Sequence, residues 1–258
     1  MLAPLNPPIR DWHDKRVWII GASSGIGAAL ARRLQELGAR VAVSARREQA
    51  LSEVAADRPM LLLPLDVNDA PAVRSAYQTI REQWGGLDLM CWVAGIYRPM
   101  RAHEIDAEAA HRMADTNYAA VFDSLACVLP DMLAAGSGAI GLVASVAGYR
   151  GLPQALGYGP TKAALIHLAE TMYLDLRPRG IGVHLICPGF VDTPATSVNE
   201  FRMPHLITAD EAARQIVAGL QAGRFETHFP RRFTLQMKLL RLLPYRAFFA
   251  TVRRTTRL

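Results

Sequence analysis

Residues 16–37 read RVWIIGASSGIGAALARRLQEL, and this stretch constrains the interpretation of the whole chain. Its first five residues are a short apolar run typical of a buried strand, and the residues from Ala28 to Leu37 have the apolar spacing of a helix. Between them, Gly21 permits a tight turn, Gly25 lets backbone approach a pyrophosphate, and Gly27 allows close packing of the helix, whose free N–H groups attract an anion. The stretch predicts a dinucleotide-binding turn, although its glycine spacing is not Gly-x-Gly-x-x-Gly and many such turns bind nothing.

The remaining sequence alternates predicted strands with predicted helices. We expect strands near 16–20, 40–45, 60–65, 87–93, 138–144, 181–187 and 225–230. Runs such as Val41 to Val43 are continuously apolar, as strands covered on both faces require. The pattern predicts an α/β fold with one Rossmann-type, doubly wound parallel sheet of about seven strands, helices on both faces and a C-terminal helical tail. Ligands should lie beyond the carboxyl ends of the strands.

The composition indicates one enzyme-sized domain over residues 1–258. Apolar residues make up 51% of the chain and charged residues 20%, which supports a buried parallel sheet and argues against extended disorder. Three cysteines cannot all pair, and two fall in predicted strands, so a reducing cytoplasm is the expected location. Residues 1–14 lack a long apolar stretch and are expected to be a frayed lead-in rather than a signal peptide.

A tyrosine and a lysine stand four residues apart in the predicted helix that follows Ser145. Tyr158 and Lys162 therefore project from the same helix face. A nearby cation favours the phenolate, so we expect Lys162 to lower the pKa of Tyr158 toward a value useful for proton transfer. The alternative is an amphipathic helix with a packed tyrosine and a surface lysine, because this spacing is common on helices.

Taken together, these motifs resemble those of the short-chain dehydrogenase/reductase family from about Arg16 to about Pro230. The resemblance rests on the glycine turn, the set Ser145, Tyr158 and Lys162, and four further landmarks in order: Asp66-Val67, Ala94-Gly95, Asn117 and the run from Pro188 to Thr193. It implies that Tyr158 is the acid or base, that Ser145 holds the substrate oxygen, that Lys162 binds the nicotinamide ribose and that Asn117 anchors a water-linked proton relay. The cofactor-binding positions it implies are Gly21, Ser23, Ser24, Gly25, Ile26, Gly27, Arg46, Arg47, Asp66, Val67, Val93, Ala94, Gly95, Tyr158, Lys162, Pro188, Gly189, Val191 and Thr193.

The sequence departs from the family pattern at two places. Ile20 stands where relatives often have threonine, and Trp92-Val93 stands where they usually have two asparagines before Ala94. Both changes remove structural hydrogen-bonding groups, and the missing asparagine amide is one that steadies the central strands and the cofactor pocket around Ala94 in relatives.

Cofactor choice is predicted from the end of the second strand. Ala45 occupies the place where an acidic residue would bind the adenine ribose hydroxyls, whereas Arg46 can bind a 2′-phosphate and Ser23 can add a hydroxyl. We therefore expect NADP(H) rather than NAD(H). The alternative is that Arg46 and Arg47 simply solvate a helix start.

These residues predict reversible hydride transfer between NADP(H) and a small-molecule carbonyl or secondary alcohol. The alternative is a non-catalytic dinucleotide-binding regulator or membrane-surface scaffold. Seven histidines lack paired metal-ligand spacing, so they are expected to be surface or locally satisfied side chains, and no metal is expected. Residues 194–207 are expected to be a mobile lid whose apolar content suggests an apolar substrate.

The C-terminal residues carry the excess charge of the chain. Between Arg224 and Leu258 there are nine Lys or Arg and one acid, and the formal net charge of the whole chain is +6. Apolar residues at helical spacing on both sides of Pro244 predict two short amphipathic helices within 231–258. Three arrangements are open: contact with an anionic membrane, contact with a partner subunit, or packing on its own domain; packing on protein is favoured.

Family resemblance also implies a homodimer or homotetramer, formed through the helices around 112–135 and 154–178. No nucleic acid is expected, because no recognised binding module accompanies the basic charge. The expected location is cytoplasmic, with residues 231–258 able to place the protein at the inner membrane surface.

Overall fold

All seven predicted strands form one parallel sheet in the computed structural model. The structure describes residues 3–199, 201 and 203–256. Two residues of the predicted lead-in (Met1, Leu2), two of the predicted lid (Glu200, Arg202) and two of the predicted tail (Arg257, Leu258) therefore lie outside the described residues. The strands are β1 (Arg16–Ile20), β2 (Arg40–Ser44), β3 (Leu61–Leu62), β4 (Leu89–Trp92), β5 (Gly138–Val143), β6 (Ile181–Pro188) and β7 (Glu226–Phe229). Their order across the sheet is β3-β2-β1-β4-β5-β6-β7.

Helices connect the strands and cover both faces of the sheet. They are α1 (Gly25–Glu36), α2 (Glu48–Ala55), α3 (Ala70–Trp84), α4 (Ala107–Ala114), α5 (Val121–Ala135), α6 (Tyr158–Leu176), α7 (Ala209–Gln221), α8 (Arg231–Leu242) and α9 (Tyr245–Thr256). One apolar core lies between the sheet and α3, α5 and α6, and a second lies between the sheet and α1, α2 and α7. Alternate residues of β1 enter opposite cores, Trp18 in the first and Ile19 in the second.

Local sequence signals set several helix boundaries. The side chains of Asp69, Asp106 and Thr208 each accept a hydrogen bond from a backbone N–H in the first turn of α3, α4 and α7. Gly85 and Gly136 end α3 and α5 in the left-handed conformation. A π-helical turn, Asp115–Ala119, joins α4 to α5 and makes one continuous helical stretch. By length and composition this stretch is apolar enough to cross a membrane, but here it lies in the helical layer and contributes Val121, Val128 and other side chains to a core.

The lead-in is packed against the sheet, so the prediction of a frayed segment is wrong for the described residues. The Asn6 side chain is fully buried; its Nδ2 donates to the Val183 carbonyl at 2.7 Å and its Oδ1 accepts from the Val183 N–H at 2.9 Å. Trp12 is also buried. One amide side chain thus satisfies both the N–H and the carbonyl of Val183 in β6. The prolines and charges on which the frayed segment was predicted do not reveal this long-range contact.

Cys91 and Cys187 are buried in β4 and β6, as predicted, and all three cysteines are free thiols. His184 differs from the expectation that the histidines are surface or satisfied side chains. It is buried in β6, its Nδ1 lies 2.8 Å from the Arg224 carbonyl, and its Nε2 has no hydrogen-bond partner among the described residues. Burial lowers the pKa of His184 to about 4, so the ring is neutral at pH 7.

Candidate active site

A cleft of about 1210 Å³ lies at the carboxyl ends of the central strands. It is lined by the predicted positions Gly21, Ser23, Ser24, Gly25, Ile26, Gly27, Arg46, Arg47, Asp66, Val67, Val93, Ala94, Gly95, Ser145, Tyr158, Lys162, Pro188, Gly189, Val191 and Thr193. Asn117 alone of the predicted site residues lies behind the cleft wall, where it is fully buried. Segments far apart in sequence therefore converge at one edge of the parallel sheet.

The turn after β1 has the geometry of an anion-binding cradle. Gly21 has a φ of +95°, and a Cβ there would lie 2.3 Å from the Ala94 nitrogen; a Cβ on Gly27 would lie 2.1 Å from the Gly21 carbonyl oxygen. Only glycine fits either position. Ser24 precedes α1 without a side-chain cap bond in the described structure, and the first turn of α1 has no acidic residue. Its first N–H groups are therefore available to a phosphate.

The end of β2 contributes positive charge to one end of the cleft. Ala45, Arg46 and Arg47 all line it, and both arginines are exposed. Within the described part of the chain, neither arginine makes an ion pair with a carboxylate. Asp66 lies beside this strand end, because the N–H of the preceding Leu65 donates to the Ala45 carbonyl at 3.0 Å. Its carboxylate accepts hydrogen bonds from the backbone N–H and side chain of Asn68.

Tyr158 begins α6, Lys162 lies one turn further along, and both line the cleft. The Lys162 ammonium lies 5.5 Å from the Tyr158 ring centroid and donates to the Val143 carbonyl at 2.9 Å. Lys162 is buried and Tyr158 partly exposed. Ser145, at the end of β5, lies beside them; its Oγ accepts from the Ala147 N–H at 3.1 Å and donates to the Pro188 carbonyl at 3.4 Å.

Burial controls the protonation of this pair. It raises the pKa of Tyr158 to about 12, against a smaller lowering by Ser145, and it lowers the pKa of Lys162 to about 8. The expectation that Lys162 lowers the pKa of Tyr158 is wrong for this structure, because the ammonium donates to the Val143 carbonyl and desolvation dominates at the phenol. At neutral pH Tyr158 carries its proton and most Lys162 side chains are charged.

The side chain of Asn117 has a positioning role. Its Oδ1 accepts from the Ile96 N–H at 2.7 Å, and its Nδ2 donates to the Ile96 carbonyl at 3.0 Å and to Thr161 Oγ1 at 3.1 Å. These bonds hold the loop after β4 against the start of α6. The proton-relay role of Asn117 stays a prediction.

Sequence reasoning missed Tyr97, which lines the cleft beside Tyr158. The two ring centroids are 4.9 Å apart in an edge-on arrangement, and Tyr97 Oη donates to Asn199 Oδ1 at 3.1 Å. Tyr97 thus connects Tyr158 to the predicted lid. Because it stands two residues after Gly95, its position beyond β4 was a usable signal. The stretch from α4 to α5 contributes further lining residues that were not predicted: Arg112, Asp115, Thr116 and Asp123.

The predicted lid, residues 194–207, begins over the cleft. Pro194, Ala195 and Thr196 line the cleft. The segment leaves and rejoins the domain at one place, because the Asp192 N–H donates to the Ile207 carbonyl at 2.8 Å and the Ile207 N–H to the Phe190 carbonyl at 3.2 Å. Three apolar side chains of this segment are exposed to solvent: Val198, Phe201 and Leu206 have 49%, 46% and 44% of their surfaces accessible. They therefore give no support to the expectation of an apolar substrate.

A doubly wound parallel sheet, a glycine turn at a helix start and a tyrosine-lysine pair in the same cleft define a Rossmann-type oxidoreductase. The family model described as short chain dehydrogenase matches residues 15–202. This chain belongs to the short-chain dehydrogenase/reductase family.

Named relatives agree with this assignment. An uncharacterized oxidoreductase of Myxococcus xanthus is 34% identical over 92% of this chain and 95% of its own length. A 2,5-dichloro-2,5-cyclohexadiene-1,4-diol dehydrogenase of Sphingobium indicum is 32% identical over 69% of this chain and 74% of its own length. Among solved structures, one titled ribose-5-phosphate isomerase from Brucella melitensis superposes with a TM-score of 0.76 at 27% identity, covering 84% of this chain and 92% of that one. A second, titled gox2181, has a TM-score of 0.77 at 21% identity, covers 85% of this chain and 97% of its own, and shows likeness of fold alone.

The family binds a nicotinamide dinucleotide, and the residues of this chain fit one. Helix α1 presents uncapped N–H groups, and a Cβ on Gly21 or Gly27 would fill the turn below them. The departure at Trp92 does not disturb the strand, which keeps its register with Ile20 of β1 and Leu142 of β5. Trp92 fills the core instead, and its Nε1 is without a partner in the described structure.

Proposed function

We propose that this chain is an NADP(H)-dependent oxidoreductase that interconverts a carbonyl and a secondary alcohol, with Tyr158 as general acid and base. The observation that supports this activity best is the position of Tyr158, Ser145 and Lys162 in the same cleft as the turn from Gly21 to Gly27. Proton donor and anion cradle are thereby open to one solvent-accessible space.

The chain's own residues would handle the proton and the substrate oxygen. The dinucleotide, when bound, supplies or accepts the hydride. In the reductive direction Tyr158 Oη donates its proton to the developing alkoxide, and its pKa of about 12 keeps that proton available at neutral pH. Ser145 Oγ donates a hydrogen bond to the same oxygen, and the Lys162 ammonium stabilises the phenolate that remains. Tyr97 and the start of the lid narrow access of water.

Replacement of the phenol tests this function. Tyr158→Phe should retain NADPH binding, measured by fluorescence titration, and lose turnover of a ketone and aldehyde panel by roughly 100-fold or more, the usual contribution of a general acid. Tyr118→Phe, which changes a tyrosine that does not line the cleft, is the matched control. A fully active Tyr158→Phe would remove this residue from the mechanism. NADPH binding by the native chain without turnover of any substrate would favour the non-catalytic regulator or scaffold.

Preference for NADP(H) is proposed from the charge at the end of β2. Arg46 and Arg47 line the cleft, Ser23 lies on the turn after β1, and Ala45 supplies no carboxylate to compete for the ribose. A planar guanidinium binds a phosphate with two parallel hydrogen bonds. The 2′-phosphate of NADP(H) complements the positive charge of the two arginines, whereas an unphosphorylated ribose would offer them no anionic partner.

Introduction of an acid tests the preference. Ala45→Asp should lower the ratio of kcat/KM for NADPH to that for NADH by roughly tenfold or more, because a carboxylate repels the phosphate and accepts from ribose hydroxyls. Ala107→Asp places the same charge on the exposed start of α4, away from the cleft lining, and should leave the ratio unchanged. An unaltered ratio in Ala45→Asp would exclude this site as the determinant.

We also propose self-association, as a dimer or tetramer, through the helices around 112–135 and 154–178. On α5 and α6, Phe122, Leu133 and Leu174 are large apolar side chains with exposed surfaces. Light scattering after size exclusion should show a dimer or tetramer for the native chain and a smaller species for Phe122→Asp combined with Leu174→Asp. A monomeric native chain at micromolar concentration would contradict this assembly.

A further inference from the structure

Helices α8 and α9 are two-sided in a way that the oxidoreductase function does not use. Their inner side is packed on the domain through Thr234, Met237 and Phe248, all buried. Their outer side exposes large apolar groups with high accessible fractions: Leu235 49%, Leu239 65%, Leu242 79%, Tyr245 71% and Phe249 54%. The three leucines recur at i, i+4 and i+7 and therefore form one stripe along α8. We call these five side chains the outer face.

Basic residues surround the outer face. Residues 231–256 contain seven Lys or Arg and no Asp or Glu. The arginines are exposed: Arg231, Arg232, Arg241, Arg246, Arg253 and Arg254. Lys238 alone of the seven is paired with a carboxylate in the described structure, that of Glu226. The outer face is thus an apolar surface within a strongly positive rim.

The domain contacts both helices and leaves most of this face accessible, although Arg150 lies 5.0 Å from the ring centroid of Tyr245. Arg150 Nη1 donates to the carbonyls of Leu240, Arg241 and Leu243 at 3.0, 3.1 and 2.6 Å, and its guanidinium lies 4.0 Å from the Phe248 ring centroid. At the other end of α8, Phe233 packs over Gly189 and 5.3 Å from the Phe190 ring. A partner would therefore meet a preformed surface and would not have to order the helices.

We propose that the outer face docks on an anionic phospholipid bilayer. Leucine, phenylalanine and tyrosine side chains insert at the boundary of headgroups and acyl chains, while arginines bind lipid phosphates, and the two effects add. Charge complementarity decides between this occupant and a second copy of the chain. An isologous contact would bring two identical arginine rims together, and like charges repel. The proposal is independent of catalysis, because none of the five side chains lines the candidate active site.

Vesicle sedimentation of the full chain tests the proposal. With phosphatidylcholine and phosphatidylglycerol at roughly 3:1, most of the protein should pellet in about 0.05 M NaCl, and pelleting should fall at least tenfold in about 0.5 M NaCl or with phosphatidylcholine alone. No pelleting with the anionic vesicles in low salt would overturn the proposal.

Two matched double variants separate specific docking from general adhesion. Leu239→Gln with Leu242→Gln should weaken partitioning onto the anionic vesicles at least tenfold, because the variant loses apolar area that would insert into the bilayer. The fold should be kept, since both side chains are mostly exposed. Leu5→Gln with Ile105→Gln changes two other apolar side chains that are more than half exposed, and this variant should bind vesicles like the native chain. Equal binding by both double variants would contradict docking through this face. Loss of a dimer in the first variant, without vesicle binding by the native chain, would assign the face to a second copy instead.

Discussion

At the scale of single residues, burial separates the roles of the two ionisable groups beneath the cleft. Desolvation favours the neutral form of each, so the pKa of Tyr158 rises to about 12 while that of Lys162 falls to about 8. Tyr158 therefore keeps its proton throughout the physiological range. The group that titrates near working pH is the lysine, whose charge would stabilise the phenolate formed when Tyr158 gives up its proton.

This separation predicts a basic limb in the pH profile of carbonyl reduction. The protonated form of Lys162 predominates below pH about 8, so kcat should be level from pH 6 to 7 and fall by about tenfold per unit well above that pKa. Lys162→Arg keeps a charge at all these pH values and should move the basic limb upward, even where the maximum rate is lower. Stopped-flow rates in one buffer series at constant ionic strength measure both. A limb at the same pH in Lys162→Arg would assign it to another group.

At the scale of elements, local signals were sufficient for most of the fold. The predicted strand at 60–65 is assigned as a strand only at Leu61–Leu62, although Leu63 and Leu65 still donate to the carbonyls of Val43 and Ala45. Pro64 stands between them, where the missing N–H faces away from β2 at the edge of the sheet and costs no bond to that strand. The two C-terminal helices are separated at Pro244, as predicted, since α8 ends at Leu242 and α9 begins at Tyr245. The π-helical turn that buries Asn117 was not predicted, because the bonds that stabilise its amide come from Ile96 and Thr161 on other elements.

Arg150 contacts both C-terminal helices and thereby fixes α9 relative to α8. Arg150→Ala leaves three carbonyls at the end of α8 without this donor and removes the cation from the Phe248 ring, a local cost of roughly 1–3 kcal/mol. We expect faster amide hydrogen exchange over 240–256 with unchanged exchange in β4 and β5. Arg179→Ala, at an exposed arginine of another loop, is the control and should leave exchange in the tail at the native rate. If exchange over 240–256 were the same in Arg150→Ala and the native chain, another contact would have to hold α9.

At the scale of the whole molecule, both chain ends are fastened to the β6–β7 side of the sheet. Asn6 bonds to Val183 of β6, and Lys238 of α8 pairs with Glu226 of β7. The cleft, by contrast, lies among segments whose glycines, serine and tyrosine were all recognisable in the sequence. The site could be predicted because its chemistry demands particular residue types, whereas the fastening of the lead-in depends on a contact across 177 positions that no local pattern encodes.

The buried amide of Asn6 should therefore contribute to global stability out of proportion to its place near the chain start. Asn6→Ala removes the side-chain partners of both the Val183 N–H and the Val183 carbonyl, and each buried group left unsatisfied costs about 1–3 kcal/mol. We expect the free energy of unfolding in urea to fall by about 2–4 kcal/mol with an unchanged slope, since the surface exposed on unfolding stays nearly the same. Gln49→Ala, at an exposed helix position, should change it by less than about 0.5 kcal/mol. Equal stability of Asn6→Ala and the native chain would show that the lead-in rests on the sheet without stabilising it.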